Sequence, residues 1–362
     1  MSVKILRLHQ RYFAAVLITT TIILVYAYLP PDPEPPDLSR GILAPKSKPV
    51  IVQPGGGIGN QLFQFAAAYS LAKRRNSDLY ICVPSNWESS MDSEFLLKFY
   101  ATDRSYLLSA FNILYQQTVI GTETGCKEMA DLAGVNATEK WYVNERTILD
   151  IGNIPKDQVV HVDGCLESEI FFKPFESEVI RQFSLKNHVR EMVDQSIKDF
   201  ASIILSTDSV AIHIRRGDFI WENRLIPISY YEAAIKRMKI EMAKIGATTD
   251  ITFFVFSDDI DAVKTDFRNM TENFVFVSNK GLSRVADFVL MTMCKHLIVA
   301  NSTFSWWAAY LNGNEKKIII APLPKFPKDF YESQCFDEFY MQIYGGNLTY
   351  PDKWITVDPF NN

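Results

Sequence analysis

The stretch Ser-Val-Ala-Ile-His-Ile-Arg-Arg-Gly-Asp-Phe, residues 209–219, contains the signals that decide the fold. Its first half is a short, apolar and β-branched run, which predicts a buried strand. Its second half carries four ionisable side chains around one glycine: His213, Arg215, Arg216 and Asp218. Such groups at the mouth of a buried strand are costly unless they are paired or hold a charged ligand. The stretch alone fits either a loop ion pair between Arg216 and Asp218 or a guanidinium that binds phosphate.

Strand and helix patterns alternate along the chain that follows this stretch. Apolar strand patterns occur at 210–214, 252–257, 274–278, 296–300 and 317–321, and helical patterns at 229–243, 259–268, 283–294 and 303–312. This alternation predicts right-handed βαβ units and a parallel sheet. Residues 206–362 are therefore predicted to form a doubly wound α/β domain.

Polar side chains follow three of these predicted strands. They are the ionisable group after 210–214, then Ser257-Asp258-Asp259, then Asn301-Ser302-Thr303. Because ligands of open α/β sheets bind beyond the carboxyl ends of strands, we expect these groups to share one site. Ser302 or Thr303 would cap the next helix, whose N-terminus favours a phosphate. Asp287, inside the apolar helical run 285–293, either faces solvent or contacts a base or ribose hydroxyl.

A glycine-rich turn characterises the first half of the body. Residues 50–52 predict a strand, 55–61 a turn, and 62–75 a buried helix, a layout that presents backbone N–H groups to an anion. Asn60 stands where a dinucleotide fingerprint needs its third glycine, and no Walker lysine follows. Asn60 is expected to cap the helix or contact a ligand.

The rest of this half completes a first α/β domain, predicted over 50–205. Strand patterns occur at 79–83 and 159–165 and helical patterns at 176–183 and 188–204, whereas 84–157 gives no clear order. Trp306 and Trp307, in the second half, are predicted to be core residues.

The N-terminus predicts a membrane anchor. Residues 12–29 carry no charge and at helical rise span about 27 Å, enough for a bilayer core. Basic residues precede this run and acidic residues follow it, so a cytosolic tail (1–11), an anchor (12–29) and a luminal body are expected. The Pro-rich segment 30–49 predicts a stem. A cleaved signal peptide is the alternative, although its cleavage site would be poor.

Composition narrows the function classes. The net charge of −5 argues against a nucleic-acid binder. The five cysteines show no metal-ligand spacing, and one or two disulfides are compatible with the sequence. Asp259-Ile260-Asp261 matches a metal-binding D-x-D pattern, but it more simply opens a helix. Sequons fit a secretory lumen and occur at Asn136, Asn269, Asn301 and Asn347.

The ordered motifs resemble those of the α-1,2-fucosyltransferases, glycosyltransferase family 11. They lie at 55–66, 213–219, 255–259, 300–309 and 350–355. The resemblance implies a GT-B-like fold, with two Rossmann-like domains facing a cleft, the first on the acceptor side and the second on the donor side. It also implies inverting transfer of L-fucose from GDP-fucose to a galactose-terminated glycan in the Golgi, with no metal or other cofactor.

The resemblance and the strand ends together give a predicted site. Arg215 would hold the donor pyrophosphate, and the other predicted donor-binding residues are Arg216, Asn60, Asp258, Asp287, Asn301, Ser302 and Thr303. His213 and Asp218 are the candidates for a catalytic base. Phe219 stands where many family members have tyrosine, which leaves the role of that hydroxyl open. The alternatives are a protein O-fucosyltransferase, a metal-dependent sugar transferase that uses Asp259 and Asp261, and a non-catalytic glycan- or nucleotide-sugar-binding protein.

Overall fold

Two parallel β-sheets organise the chain in the computed structural model, which describes residues 47–84, 106–113, 117–121, 140–246, 250–278, 282–334 and 336–361. The first sheet contains β1 (Ser47–Val52), β2 (Ser77–Pro84), β3 (Gln117–Gly121), β4 (Lys140–Val143) and β5 (Val159–Val162). The second contains β6 (Asp208–Ile214), β7 (Ile251–Ser257), β8 (Asn273–Phe276), β9 (His296–Ile298), β10 (Ile319–Pro322) and β11 (Ile355–Val357). Both sheets belong to one compact unit, Leu43–Asn362.

The α-helices lie between these strands and after them. They are α1 (Ile58–Arg75), α2 (Glu176–Gln182), α3 (Asn187–Ser206), α4 (Gly217–Trp221), α5 (Ile228–Lys244), α6 (Ile260–Asp266), α7 (Arg284–Met293), α8 (Thr303–Leu311), α9 (Lys328–Gln334) and α10 (Glu338–Gly345). Short 3₁₀ helices occur at Leu107–Ala110, Ile151–Asn153, Glu169–Phe171 and Lys173–Phe175.

The order of strands reverses once in each sheet. The second sheet runs β11-β10-β9-β6-β7-β8, so the chain moves outward in one direction from β6 and in the other from β9. The first runs β3-β2-β1-β5-β4, with the reversal between β1 and β5. Ligands of open α/β sheets bind beyond the carboxyl ends of strands at such reversals. The topology therefore predicts a ligand-binding site at the carboxyl ends of β1, β5, β6 and β9.

Helices α1 and α8 connect the two sheets through an aromatic core. The ring of Phe63 in α1 lies 4.5 Å from that of Trp306 and 4.9 Å from that of Trp307, both in α8. Both tryptophans are buried, which confirms that they are core residues. This packing holds the N-termini of the two helices next to each other.

The strand and helix predictions for 210–321 are confirmed to within a few residues, and β11 adds a sixth strand that they missed. In the first half, β3 and β4 were also missed. Both are edge strands, and β4 carries an apolar run of only three residues (141–143), shorter than the run of about four to eight that predicts a strand. The predicted strand 159–165 ends at Val162, because Gly164 adopts a φ of 146° that a strand does not accommodate.

Several predictions fall on parts of the chain outside the described residues. They are the cytosolic tail, the anchor, most of the stem and the sequon at Asn136. Within the described ranges, no helix is both long and apolar enough to cross a bilayer. Cys82 is disulfide-bonded, whereas Cys165 and Cys294 are free thiols. The predicted domain division falls between the end of α3 and the start of β6, and it stays a prediction.

Candidate functional site

A cavity of about 430 Å³ lies where these strand ends meet. The first sheet contributes residues 56–60, which follow β1, and Glu167, which follows β5. The second sheet contributes residues after β6 and residues 301–304 after β9. Of the predicted site residues, all except Arg216 line this cavity.

Arg215 is held in the cavity wall by two carboxylates. Its Nε and Nη2 donate to Asp218 Oδ1 at 3.0 and 2.6 Å, and its Nη1 lies 3.1 Å from Asp258 Oδ2. The ion pair considered for Arg216 and Asp218 is therefore formed by Arg215 instead. A guanidinium carries five N–H groups, so these contacts fix its plane and leave N–H groups of Nη1 and Nη2 for a ligand.

Arg216 points away from the cavity. Its guanidinium forms an ion pair with Asp266 of α6, and its backbone N–H donates to Asp258 Oδ1 at 2.8 Å. A Cβ on Gly217 would lie 2.5 Å from Asp258 Oδ2. Glycine is thus required here because the Asp258 carboxylate approaches the backbone, and this approach orients Asp258 toward Arg215.

Two helix N-termini converge on the cavity. Gly57 begins α1 without a side-chain cap, whereas Ser302 caps α8 by accepting from the Phe304 N–H at 3.4 Å. Asn60 does not cap its own helix, because its Oδ1 accepts from the Thr303 hydroxyl at 2.5 Å. Since helix N-termini carry partial positive charge, the pair of ends favours an anion between them.

His213 is buried beside Arg215. Burial first, and the Arg215 charge second, lower the pKa of His213 to about 3. Its Nδ1 is buried and has no hydrogen-bond partner among the described residues. The imidazole is therefore neutral at physiological pH and is a weak base.

Asp287 lies inside the cavity and not on the solvent face of α7. The Ser278 hydroxyl donates to its Oδ2 at 2.7 Å, while its Oδ1 is buried and has no partner among the described residues. Burial raises the pKa of Asp287 to about 7. An unpartnered buried acceptor is costly unless a ligand supplies the donor, so Asp287 is placed to contact a bound molecule.

Five further residues line the cavity that the sequence analysis did not predict: Glu167, Arg224, Ser278, Arg284 and Phe326. Glu167 follows β5, so the strand-end argument used for the second sheet would have found it. Arg224 and Phe326 lie in loops with no pattern, and only the tertiary structure brings them to the cavity.

The D-x-D pair does not reach the cavity. Asp259 caps α6 by accepting from the Ala262 N–H at 3.2 Å, so the D-x-D pair opens a helix, as the sequence predicts. The Asp261 side chain is 86% exposed and pairs with Lys264. Within the described parts of the chain, no group of three or more His, Cys, Asp or Glu side chains is arranged to hold a metal ion.

Asn301 is expected to carry no glycan despite its sequon. The residue is 2% exposed, and its Nδ2 donates to the Arg224 carbonyl at 2.7 Å, so an oligosaccharide would displace it from the fold. Asn269 and Asn347 are exposed, so among the described residues these two sequons are accessible for glycosylation. Glycopeptide mapping of protein secreted from animal cells tests this, and an occupied Asn301 would contradict the placement of the site.

Residues 140–341 match the model of glycosyl transferase family 11, which is more than half of the chain. The chain belongs to this family. The family assigned from the sequence motifs is thus confirmed. The structure further establishes an α/β fold with two parallel sheets.

Individual relatives are distant from this family member. An α-1,2-colitosyltransferase of Escherichia coli is 26% identical over 318 residues, 85% of this chain and 99% of that protein. Galactoside α-(1,2)-fucosyltransferase 2 of Oryctolagus cuniculus is 24% identical over 269 residues, 72% of this chain and 66% of that protein. The crystal structure of the fucosyltransferase NodZ from Bradyrhizobium covers 74% of this chain and 94% of its own, with 16% identity and a TM-score of 0.43.

Proposed function

We propose that this family 11 member transfers L-fucose from GDP-fucose to the 2-hydroxyl of a galactoside, with inversion and without a metal ion, on a GT-B-like fold. The observation that carries the proposal is the position of Arg215, at the end of β6 in a cavity shared with the N-termini of α1 and α8. Relatives whose names specify α-1,2 transfer of fucose or of colitose support this linkage.

The cations and dipoles of the site would stabilise the leaving group. In the transfer, the bond from the sugar C1 to the diphosphate breaks and its electron pair goes to the diphosphate oxygen. The acceptor oxygen forms the new bond to C1 and loses its proton. Arg215 and the two helix N-termini are preorganised donors for the departing charge, which is where such groups lower the barrier most.

Asp218 is a better candidate than His213 for the group that accepts the proton of the acceptor hydroxyl. His213 is a weak base, because burial and the Arg215 charge lower its pKa to about 3. Asp218 pairs with Arg215 through Oδ1, which leaves its Oδ2 for the acceptor hydroxyl. We therefore propose that the acceptor hydroxyl donates a hydrogen bond to Asp218 Oδ2.

Asp287 would bind the guanine of the donor. Guanine presents N–H donors on its Watson–Crick edge, and the free Asp287 Oδ1 is an acceptor. In the strand order, Ser278 and Asp287 lie on the β7–β8 side of Arg215, and Ser278 accepts from the Ser257 N–H at 3.1 Å. This leaves the β9–β10 side of the cavity for the transferred sugar and the acceptor.

GDP-fucose affinity is expected to rise with pH through about 7. The ionised Asp287 accepts a guanine N–H through its free Oδ1, whereas protonation weakens this acceptor, and the pKa of Asp287 is about 7. If only the ionised form binds, the apparent affinity falls roughly tenfold from pH 8 to pH 6. Titration calorimetry with GDP-fucose measures this, because its diphosphate does not titrate in this range. Asp287→Asn should bind weakly with no pH dependence between 6 and 8; a retained slope would point to another group.

A secreted form beginning at Leu43, assayed with GDP-fucose on a glycan array with and without EDTA, tests the proposal. We expect fucose on the 2-hydroxyl of terminal galactosides, with turnover unchanged by EDTA. Transfer only to folded protein domains would indicate a protein O-fucosyltransferase. EDTA-sensitive turnover would indicate a metal-dependent transferase, and binding without turnover a non-catalytic protein. Transfer of colitose in place of fucose would revise the donor sugar.

We also propose that the chain is a single-pass type II protein of the Golgi membrane with a luminal catalytic body. The support is the uncharged run 12–29 with its basic flank, and the disulfide at Cys82, a bond typical of oxidising compartments. Protease protection of the body in intact Golgi vesicles, lost when detergent is added, would be the expected result.

A further inference from the structure

One wall of the cavity extends from Arg215 toward the β9–β10 side of the second sheet. The Phe219 ring lies 5.6 Å from the Arg215 guanidinium and 4.1 Å from that of Arg224. The Arg224 guanidinium in turn lies 5.9 Å from the ring of Phe326, which follows β10. This succession leads away from Asp287, because β7 and β8 lie on the opposite side of β6.

Glu167 lies at the far end of this wall, and one of its carboxylate oxygens can accept a hydrogen bond from a ligand. Its Oε2 forms an ion pair with Lys325, whose side chain is buried, and Lys325 lies over the Phe326 ring at 5.3 Å. Its Oε1 accepts no hydrogen bond from the described residues. A carboxylate that is fixed by a buried lysine and keeps one oxygen free is a rigid acceptor for a hydroxyl donor.

Arg224 supplies donors on the same wall. Its Nη2 pairs with Glu222, while its Nε is buried and has no partner among the described residues. Its backbone carbonyl is fixed by the Asn301 side chain at 2.7 Å. The guanidinium is therefore held in place with donor capacity left for a ligand.

We propose that Glu167, Arg224 and Phe326 form the acceptor subsite, which binds a terminal hexose through adjacent hydroxyls; this rests on the function proposed above. Glu167 Oε1 accepts from one hydroxyl, Arg224 donates to a neighbouring hydroxyl oxygen, and the Phe326 ring packs against the apolar C–H face of the sugar. A diphosphate is excluded from the Glu167 end, because its charge would be repelled by the carboxylate. A neutral sugar with hydroxyl donors has no such penalty.

Glu167→Gln is expected to raise the KM for the galactoside about 10- to 150-fold, the range for one lost charge-assisted hydrogen bond. The KM for GDP-fucose should stay within about twofold of the wild type, because the donor is not expected to contact Glu167. Glu169→Gln is the matched control, since Glu169 also pairs with a lysine, Lys173, and is similarly buried (side-chain exposure 19% against 13%), but it does not line the cavity.

A second variant separates an acceptor contact from a structural role. Removing Glu167 alone leaves Lys325 buried and unpaired, which can destabilise the fold, whereas removing both charges of a buried pair is often tolerated. The double variant Glu167→Gln with Lys325→Met should therefore keep GDP binding while retaining the raised galactoside KM. A galactoside KM that returns to the wild-type value, or that never rose in Glu167→Gln, overturns the subsite. Failure of the proposed function would look different, because the wild type itself would then transfer no fucose.

Discussion

Replacing Arg215 by lysine is expected to lower kcat/KM for GDP-fucose by about 10- to 150-fold or more, although the charge is kept. One lost charge-assisted hydrogen bond costs about 1.5–3 kcal/mol, which corresponds to that range. The guanidinium contacts Asp218 through Nε and Nη2 and Asp258 through Nη1, and still has donors for a diphosphate. An ammonium has three donors at one point, so it cannot span both carboxylates and also present a bidentate edge to the ligand.

The loss should appear in the chemical step more than in donor binding. The charge on the diphosphate grows as the sugar departs, so a fixed donor there stabilises the transition state more than the ground state. Presteady-state turnover with saturating GDP-fucose measures the first, and calorimetry with GDP measures the second.

Arg216→Lys provides the sharpest comparison, because the same substitution is made one residue away. The Arg216 guanidinium pairs with Asp266 outside the cavity. We therefore expect this variant to keep turnover within a few-fold of the wild type. Near-normal turnover in Arg215→Lys, or equal losses in the two variants, would remove Arg215 from the mechanism.

The second half of the fold could be predicted because its signals are local. Inner parallel strands such as β6 and β7 are buried on both faces, so they read as continuous apolar runs. The polar ends of β6, β7 and β9 then follow from chain direction alone, since parallel strands share one edge for their carboxyl ends. This is why residues far apart in sequence, such as Asp218 and Ser302, could be assigned to one cavity.

The sequence could not show which of two adjacent arginines enters the cavity. Arg215 and Arg216 have the same side chain, and their directions depend on the backbone after β6. That backbone is set by Asp258, which accepts the Arg216 N–H and pairs with Arg215. The family resemblance predicts Arg215, and the contacts with Asp258 give the physical reason.

The acceptor-side wall was missed for a related reason. Arg224 and Phe326 are far apart in the chain, and they meet only because β9 and β10 lie beside β6 in the sheet. Their position in the cavity depends on tertiary packing, and no periodic pattern in the sequence indicates it. The edge strand β4 is not predicted either, because its apolar run of three residues is too short to indicate a strand.

Gly59→Ala is expected to destabilise the protein and to reduce turnover together. By helix propensity alone, alanine inside α1 should stabilise the helix by about 1 kcal/mol. A Cβ on Gly59 would, however, lie 2.3 Å from the Thr303 carbonyl carbon and 2.6 Å from the Phe304 backbone nitrogen. These are backbone atoms of α8, so no side-chain rotation relieves the clash, and overpacking of this kind costs about 1–3 kcal/mol.

The function should suffer because the same clash separates the two helix N-termini. The Asn60 to Thr303 hydrogen bond of 2.5 Å holds them together, and their paired positive ends face the position proposed for the diphosphate. Urea unfolding measures the stability, and calorimetry with GDP measures the anion site. Gly55→Ala is the matched control, because a Cβ there meets no atom within 4 Å and Gly55 does not line the cavity. The contradicting result is a Gly59→Ala variant whose stability in urea and affinity for GDP both equal those of Gly55→Ala. The close contact of α1 with α8 would then not shape the anion site.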